Sequence, residues 1–136
     1  MKSRVIVAAI IRKGDEFLFG RKEKNIGPYP NTWHLIGGGV QLGEESLEEA
    51  IIREVREEAG IEIKDMKRFS FDEGDEPDKN GELTHYIFLV YDTNYKSGQI
   101  KAGDDIKEIR WIHKNEIKKL PLPHPTRKVF SLLKLD

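Results

Sequence analysis

Apolar residues fill positions 5–11 without a break (Val-Ile-Val-Ala-Ala-Ile-Ile), a β-branched-rich run that reads as a buried strand. Gly14-Asp15 marks a turn, and Phe17-Leu18-Phe19 before Arg21 reads as the hairpin partner. Residues 22–31 contain Gly27, Pro28 and Pro30 and are expected to form a loop. A short strand over 32–36 then runs into Gly37-Gly38-Gly39. The period changes after that. Ser46 with Glu49 three residues on makes a capping box and Gly60 a stop, which predicts a helix over Leu47–Ala59. Residues 61–71 and 83–91 read as strands joined by an exposed polar connection over 72–81, which ends in Asn80-Gly81. A further strand is expected over Ile106–His113, with Ile109 and Trp111 on one face. Pro121, Pro123 and Pro125 punctuate a loop, and residues 126–135 can close the chain with a helix. This order predicts an α+β fold, an α-β-α sandwich, as one domain over 1–136.

On the first helix, at about 100° per residue, Ile51, Ile52, Val55 and Ala59 share one arc. Glu54, Glu57 and Glu58 share another. Their i,i+3 and i,i+4 spacings put the Cβ atoms about 5–6 Å apart, where like charges destabilise a helix unless a countercharge intervenes. Arg53 can supply part of that charge. A divalent cation can supply more, and carboxylate oxygens are what Mg²⁺ prefers. Solvated glutamates on a surface helix would give the same pattern.

Composition narrows the possibilities. The chain has 136 residues, 38% apolar and 35% charged, with a net charge of −1, which excludes a disordered polyelectrolyte and a nucleic-acid coat. Having no cysteine, it can form no disulfide, thiolate zinc site or cysteine nucleophile. The longest apolar run falls far short of a membrane span and ends in Arg12-Lys13 without a cleavage pattern, so the expectation is a soluble, cytoplasmic protein. The charge is uneven. Residues 1–24 carry seven basic and three acidic groups, residues 44–82 six and fifteen, and residues 101–136 nine and five. An acidic centre between basic flanks suits a hard cation in the middle and a polyanion approaching it, although ordinary solvated surface reads the same way.

The helix lies in a larger pattern. Gly39, five residues, Glu45, seven residues and then Arg53-Glu54-Val55-Arg56-Glu57-Glu58-Ala59-Gly60-Ile61 match the 23-residue Nudix box in full. The chain thus resembles the Nudix hydrolases, the MutT-like pyrophosphohydrolases, and the order of its elements is similar to theirs over nearly its whole length. The resemblance implies a mixed sheet with a catalytic loop-helix-loop and a C-terminal helix. It also implies Mg²⁺ or Mn²⁺ bound on the diphosphate of a nucleoside diphosphate linked to a group X, with water attacking phosphorus. On this chain Glu57 and Glu58 match the principal metal-ligand positions. Glu54 matches a position that is ligand or general base, and Arg53 an arginine that orients these glutamates by a salt bridge. Gly38 or Gly39 would lend a backbone carbonyl to the metal, and Gly60 is most simply a helix cap. Glu45 is open between an outer-shell ligand and a countercharge to the helix dipole. One departure is visible: Ile36 stands where many members have proline.

Outside the box, the resemblance suggests an extra acidic ligand or base among Asp104, Asp105 and Glu108, and a phosphate-reaching arginine in Arg21. Trp33, His34, Tyr29 and Trp111 are candidates to stack on a nucleobase, and His124 to contact one; each has a core or surface reading beside it. The expected activity is cleavage of nucleoside or deoxynucleoside triphosphates to monophosphate and pyrophosphate, on the short chain and the MutT-like segment 31–43. An ADP-ribose or nucleotide-sugar pyrophosphatase is the alternative, and a non-catalytic nucleotide-binding module a third reading. Isopentenyl diphosphate isomerases also resemble this family, but they rely on a cysteine that this chain lacks. No polymeric nucleic acid and no membrane is an expected partner; a homodimer is an open one.

Overall fold

The computed structural model describes residues 1–22 and 31–135; Tyr29 and most of the expected 22–31 loop lie outside them. Strands β1 (Lys2–Lys13), β2 (Glu16–Lys22), β3 (Trp33–His34) and β4 (Ile36–Gly39) lead into helix α1 (Leu47–Ala59). Then come β5 (Glu62–Pro77), β6 (Leu83–Ser97), β7 (Ile106–His113), a 3₁₀ helix over Lys114–Lys119 and helix α2 (His124–Leu132). The strands form one mixed sheet in the order β3-β2-β1-β6-β5, with β4 added to β1 and β7 to β2. The β1–β6 pair is parallel and the remaining pairs are antiparallel.

Alternation along β1 builds the two layers of core. Val7, Ala9 and Ile11 pack with Ile51, Val55 and Ala59 of α1. Ile10 and Ala8 belong to the other face, with Phe17, Phe19 and the α2 residues Val129 and Phe130. The sheet is therefore covered by a helix on each side, as the α-β-α reading expected.

The helix α1 has its expected bounds: Ser46 accepts from the Glu49 amide at 3.0 Å, Glu49 returns the bond to the Ser46 amide at 2.8 Å, and Gly60 takes the left-handed conformation at φ 71°. Other elements differ from expectation, β1 and β6 being longer than their apolar runs. The polar stretch 72–77 is strand rather than connection, because its residues pair in register with 83–88 of β6 at the sheet edge, where acidic side chains stay solvated. The turn shrinks to Asp78–Glu82, with Asp78 Oδ1 accepting the Asn80 and Glu82 amides at 2.8 and 2.9 Å. The strand expected over 32–36 is two, since the chain changes partner at Leu35, from β2 to β1. Helix α2 begins two residues early, Pro125 fitting its first turn, and ends at Leu132. Among the described residues no helix is long and apolar enough to cross a membrane.

Candidate active site

The strand β4 is almost bare of side chains, and α1 lies against it. The Gly37 amide donates to Glu58 Oε1 at 3.0 Å. The carboxylate of Glu54 fills the space where a Cβ on Gly38 would stand, and a Cβ on Gly37 would strike the Val7 carbonyl. Glycine is required here by close approach of backbone and carboxylate. Carboxylates are thereby brought onto the inner side of an amphipathic helix, beside Ile51 and Val55, where a simple wheel separates them. Both Glu54 and Glu58 are buried.

Arg53 ties this cluster together. Its Nε and Nη2 grip both Glu45 oxygens at 2.8 Å. Nη1 donates to Glu54 Oε1 at 2.8 Å and Glu57 Oε2 at 3.2 Å, and Nη2 to the Gly39 carbonyl at 3.0 Å. Glu45 is thus a partner of Arg53, and it also accepts the Gln41 amide at 2.9 Å. The Arg53 guanidinium, followed by that amide, holds the Glu45 carboxyl down at about 2. Burial acts the other way on the two inner glutamates. It raises Glu54 despite the Arg53 bond, and it pushes Glu58 up to about 8 against the opposing Gly37 amide.

These glutamates line a cavity of about 970 Å³. Its floor is Ile6 and Ala8 of β1 and Tyr86, Phe88 and Val90 of β6; Val129 and Leu132 of α2 and Pro125 line it too. The Tyr86 and Phe88 rings stack with centroids 5.7 Å apart. Asp104 and Asp105 also face it, and the Asp104 charge contributes to raising both inner glutamates. His34 lines it as well. Its Nδ1 meets the Leu35 carbonyl at 2.8 Å, and burial lowers its pKa to about 4, which leaves the ring neutral at pH 7.

Other candidates fall elsewhere. Arg21 is not brought to the cavity: it is bonded to Glu108 at 2.8 Å, which in turn also binds Arg110. Trp33 is buried in the second core layer with the Arg21 and Arg110 guanidinium groups over its ring, so it offers no open face for stacking. Trp111 packs edge-on against Tyr95 under Lys13. His124 is exposed at the start of α2, beside rather than among the lining residues. Glu57 sits at the solvent rim on Arg53. The aromatic floor of Tyr86 and Phe88 carries no motif in the sequence, where only their alternation with Val90 along a strand signals a shared face.

Among the described residues no three acidic or imidazole groups already converge on a point that could hold a metal ion. The donor set nevertheless fits a hard dication: carboxylate and main-chain oxygens only, two of the carboxylates buried, with Glu58 bonded by an amide and Lys22 acting on it only at a distance.

Comparison with known proteins agrees with this geometry. The sequence matches the NUDIX domain over residues 2–133. It is 30% identical over 137 residues to the nucleoside triphosphatase NudI of Enterobacter sp. (strain 638), covering 96% of each chain. It is 33% identical over 120 residues to the ADP-ribose pyrophosphatase of Methanocaldococcus jannaschii, covering 88% of this chain and 68% of that one. The crystal structure of a MutT NUDIX hydrolase from Burkholderia pseudomallei superposes with a TM-score of 0.79 at 25% identity, over 96% of this chain and 98% of the other. With the family's domain spanning nearly all of its length and the box glutamates seated on its glycine strand, this chain belongs to the Nudix hydrolases.

Proposed function

We propose that the protein is a Mg²⁺-dependent pyrophosphohydrolase of nucleoside diphosphate-X compounds, nucleoside triphosphates foremost, cleaving them to monophosphate and pyrophosphate. The observation that carries this reading is the seat of Glu54 and Glu58 against Gly37 and Gly38, on the wall of a cavity whose floor is apolar and aromatic. One part of such a site suits a charged diphosphate and the other a nucleobase, and the volume is that of a nucleotide-sized pocket.

Glu57, Glu58 and the Gly38 carbonyl would hold the ion, which when bound neutralises phosphate oxygens and lowers the pKa of water. The remaining work belongs to the chain. Arg53 holds Glu54 and Glu57 in place and anchors them to Gly39. Glu54 accepts the proton of the attacking water, a role for which a buried carboxylate of raised pKa is suited. Asp104 and Asp105 stand on the same cavity as the alternative base. The stacked Tyr86 and Phe88 receive the base.

The preference for triphosphates is supported by the NudI relative, which this chain matches over 96% of both lengths. The ADP-ribose pyrophosphatase relative favours the second reading, ADP-ribose as substrate. A product assay with Mg²⁺ over nucleoside triphosphates, ADP-ribose, nucleotide sugars and dinucleoside polyphosphates separates them. Pyrophosphate plus monophosphate is expected; cleavage confined to ADP-ribose would keep the chemistry and overturn the substrate.

A further inference from the structure

Arg4 stands apart from the other arginines of the chain. Each of the others bonds a carboxylate or a carbonyl. Arg4 bonds no described residue, yet it is not a stray surface side chain. It lies on β1 opposite Tyr86 and two residues from Ile6, which is opposite Gly39, so it belongs to the row that forms the cavity floor. Its Nη2 occupies the space where a Cβ on Gly39 would stand. Gly39 is the neighbour of Gly38, against which Glu54 lies, and its carbonyl is the one that Arg53 grips.

We propose that Arg4 binds the phosphate chain of the substrate, gripping two oxygens of one phosphate with its planar fork. This deepens the hydrolase reading above and rests on it. A guanidinium without a partner among the described residues, on the same cavity as Glu54, Glu58, Asp104 and Asp105, is available to an anion that arrives from outside. A phosphate complements the fork in both charge and spacing, whereas Lys22 and Lys79 on the same cavity are point charges. The bare α-carbon of residue 39 follows from this: any side chain there would displace the fork. The role expected of Arg21, which is consumed by Glu108, passes to Arg4.

The test is calorimetric titration of inorganic pyrophosphate with Mg²⁺ into the wild type, Arg4→Ala and Arg4→Lys, with an unphosphorylated nucleoside titrated in parallel. Loss of a charge-assisted pair predicts pyrophosphate binding weaker by roughly tenfold or more in Arg4→Ala, with Arg4→Lys recovering only part. Nucleoside binding and the melting temperature should be unchanged, because Arg4 bonds no described residue, and KM for a nucleotide should rise more than kcat falls. Equal pyrophosphate binding by Arg4→Ala and wild type, no pyrophosphate binding by the wild type, or a loss confined to the nucleoside would overturn the assignment. If the wild type cleaves no nucleotide but Arg4→Ala still loses pyrophosphate, the Arg4 assignment stands and the hydrolase reading falls.

Discussion

The Glu54 carboxylate occupies the space that a side chain on Gly38 would need. Three strand glycines with different surroundings therefore predict three different outcomes. In Gly38→Ala the new methyl meets only the far end of a flexible side chain, so the fold survives while Glu54 is turned from its seat; hydrolysis should drop roughly 10²-fold or more. In Gly37→Ala the methyl meets the Val7 main chain, which cannot give way, and the β1–β4 pairing should break. Gly74→Ala meets nothing within 4 Å and should be silent. Melting temperature and rate measured on the three variants distinguish a site glycine from a packing glycine.

Arg53 bonds three carboxylates and a carbonyl at once, with a geometry only a guanidinium can offer. Arg53→Lys should therefore behave much like Arg53→Ala, each losing about 1–3 kcal/mol of stability in denaturant titration together with most of the activity. Full rescue by lysine would reduce the role of Arg53 to charge alone.

The burial of Glu58 makes the metal-free protein sensitive to pH. Its pKa is raised on folding, so the protonated form is favoured in the fold. The stability this contributes is fully present below the ordinary carboxylate value near 4.5 and is lost as pH rises through about 8. In the presence of a chelator the melting temperature should fall between pH 5 and 9, and Glu58→Gln should flatten that fall. Mg²⁺ should raise the wild-type melting temperature at pH 8 and leave Glu58→Gln nearly unmoved.

Much of this was legible in the sequence because it is local. The box residues, the capping box of α1 and the Gly60 stop depend on neighbours a few positions apart, and α1 has the bounds they imply. What escaped depends on partners distant in the chain. The acidic segment 72–77 reads as loop by composition, and only pairing with β6 makes it strand. Arg21 and Glu108 lie 87 positions apart, and no local pattern signals that one consumes the other. The burial of Glu54 and Glu58 was not legible in the helical wheel, because the glycines of β4 leave room that a wheel does not see.

At the far end of the β5–β6 hairpin, His85 lies between Asp75 at 2.7 Å and Glu73 at 3.0 Å, which raise its pKa in that order of importance. The stabilisation is full below the unfolded value near 6.5 and fades as pH rises past the folded one. NMR titration should place His85 above an ordinary histidine, and Asp75→Asn should bring most of that rise down. Amide exchange across the hairpin should quicken from pH 6 to pH 8 beyond its intrinsic pH dependence.

The most direct test of the central claim is product analysis of a nucleoside triphosphate incubated with Mg²⁺ and the wild type, Glu54→Gln or Glu58→Gln. The wild type should release monophosphate and pyrophosphate, and Glu54→Gln should lose roughly 10²–10⁴-fold in rate with its fold intact. A wild type that leaves triphosphates and ADP-ribose alike uncut, or glutamine variants that cut as fast as the wild type, would contradict it.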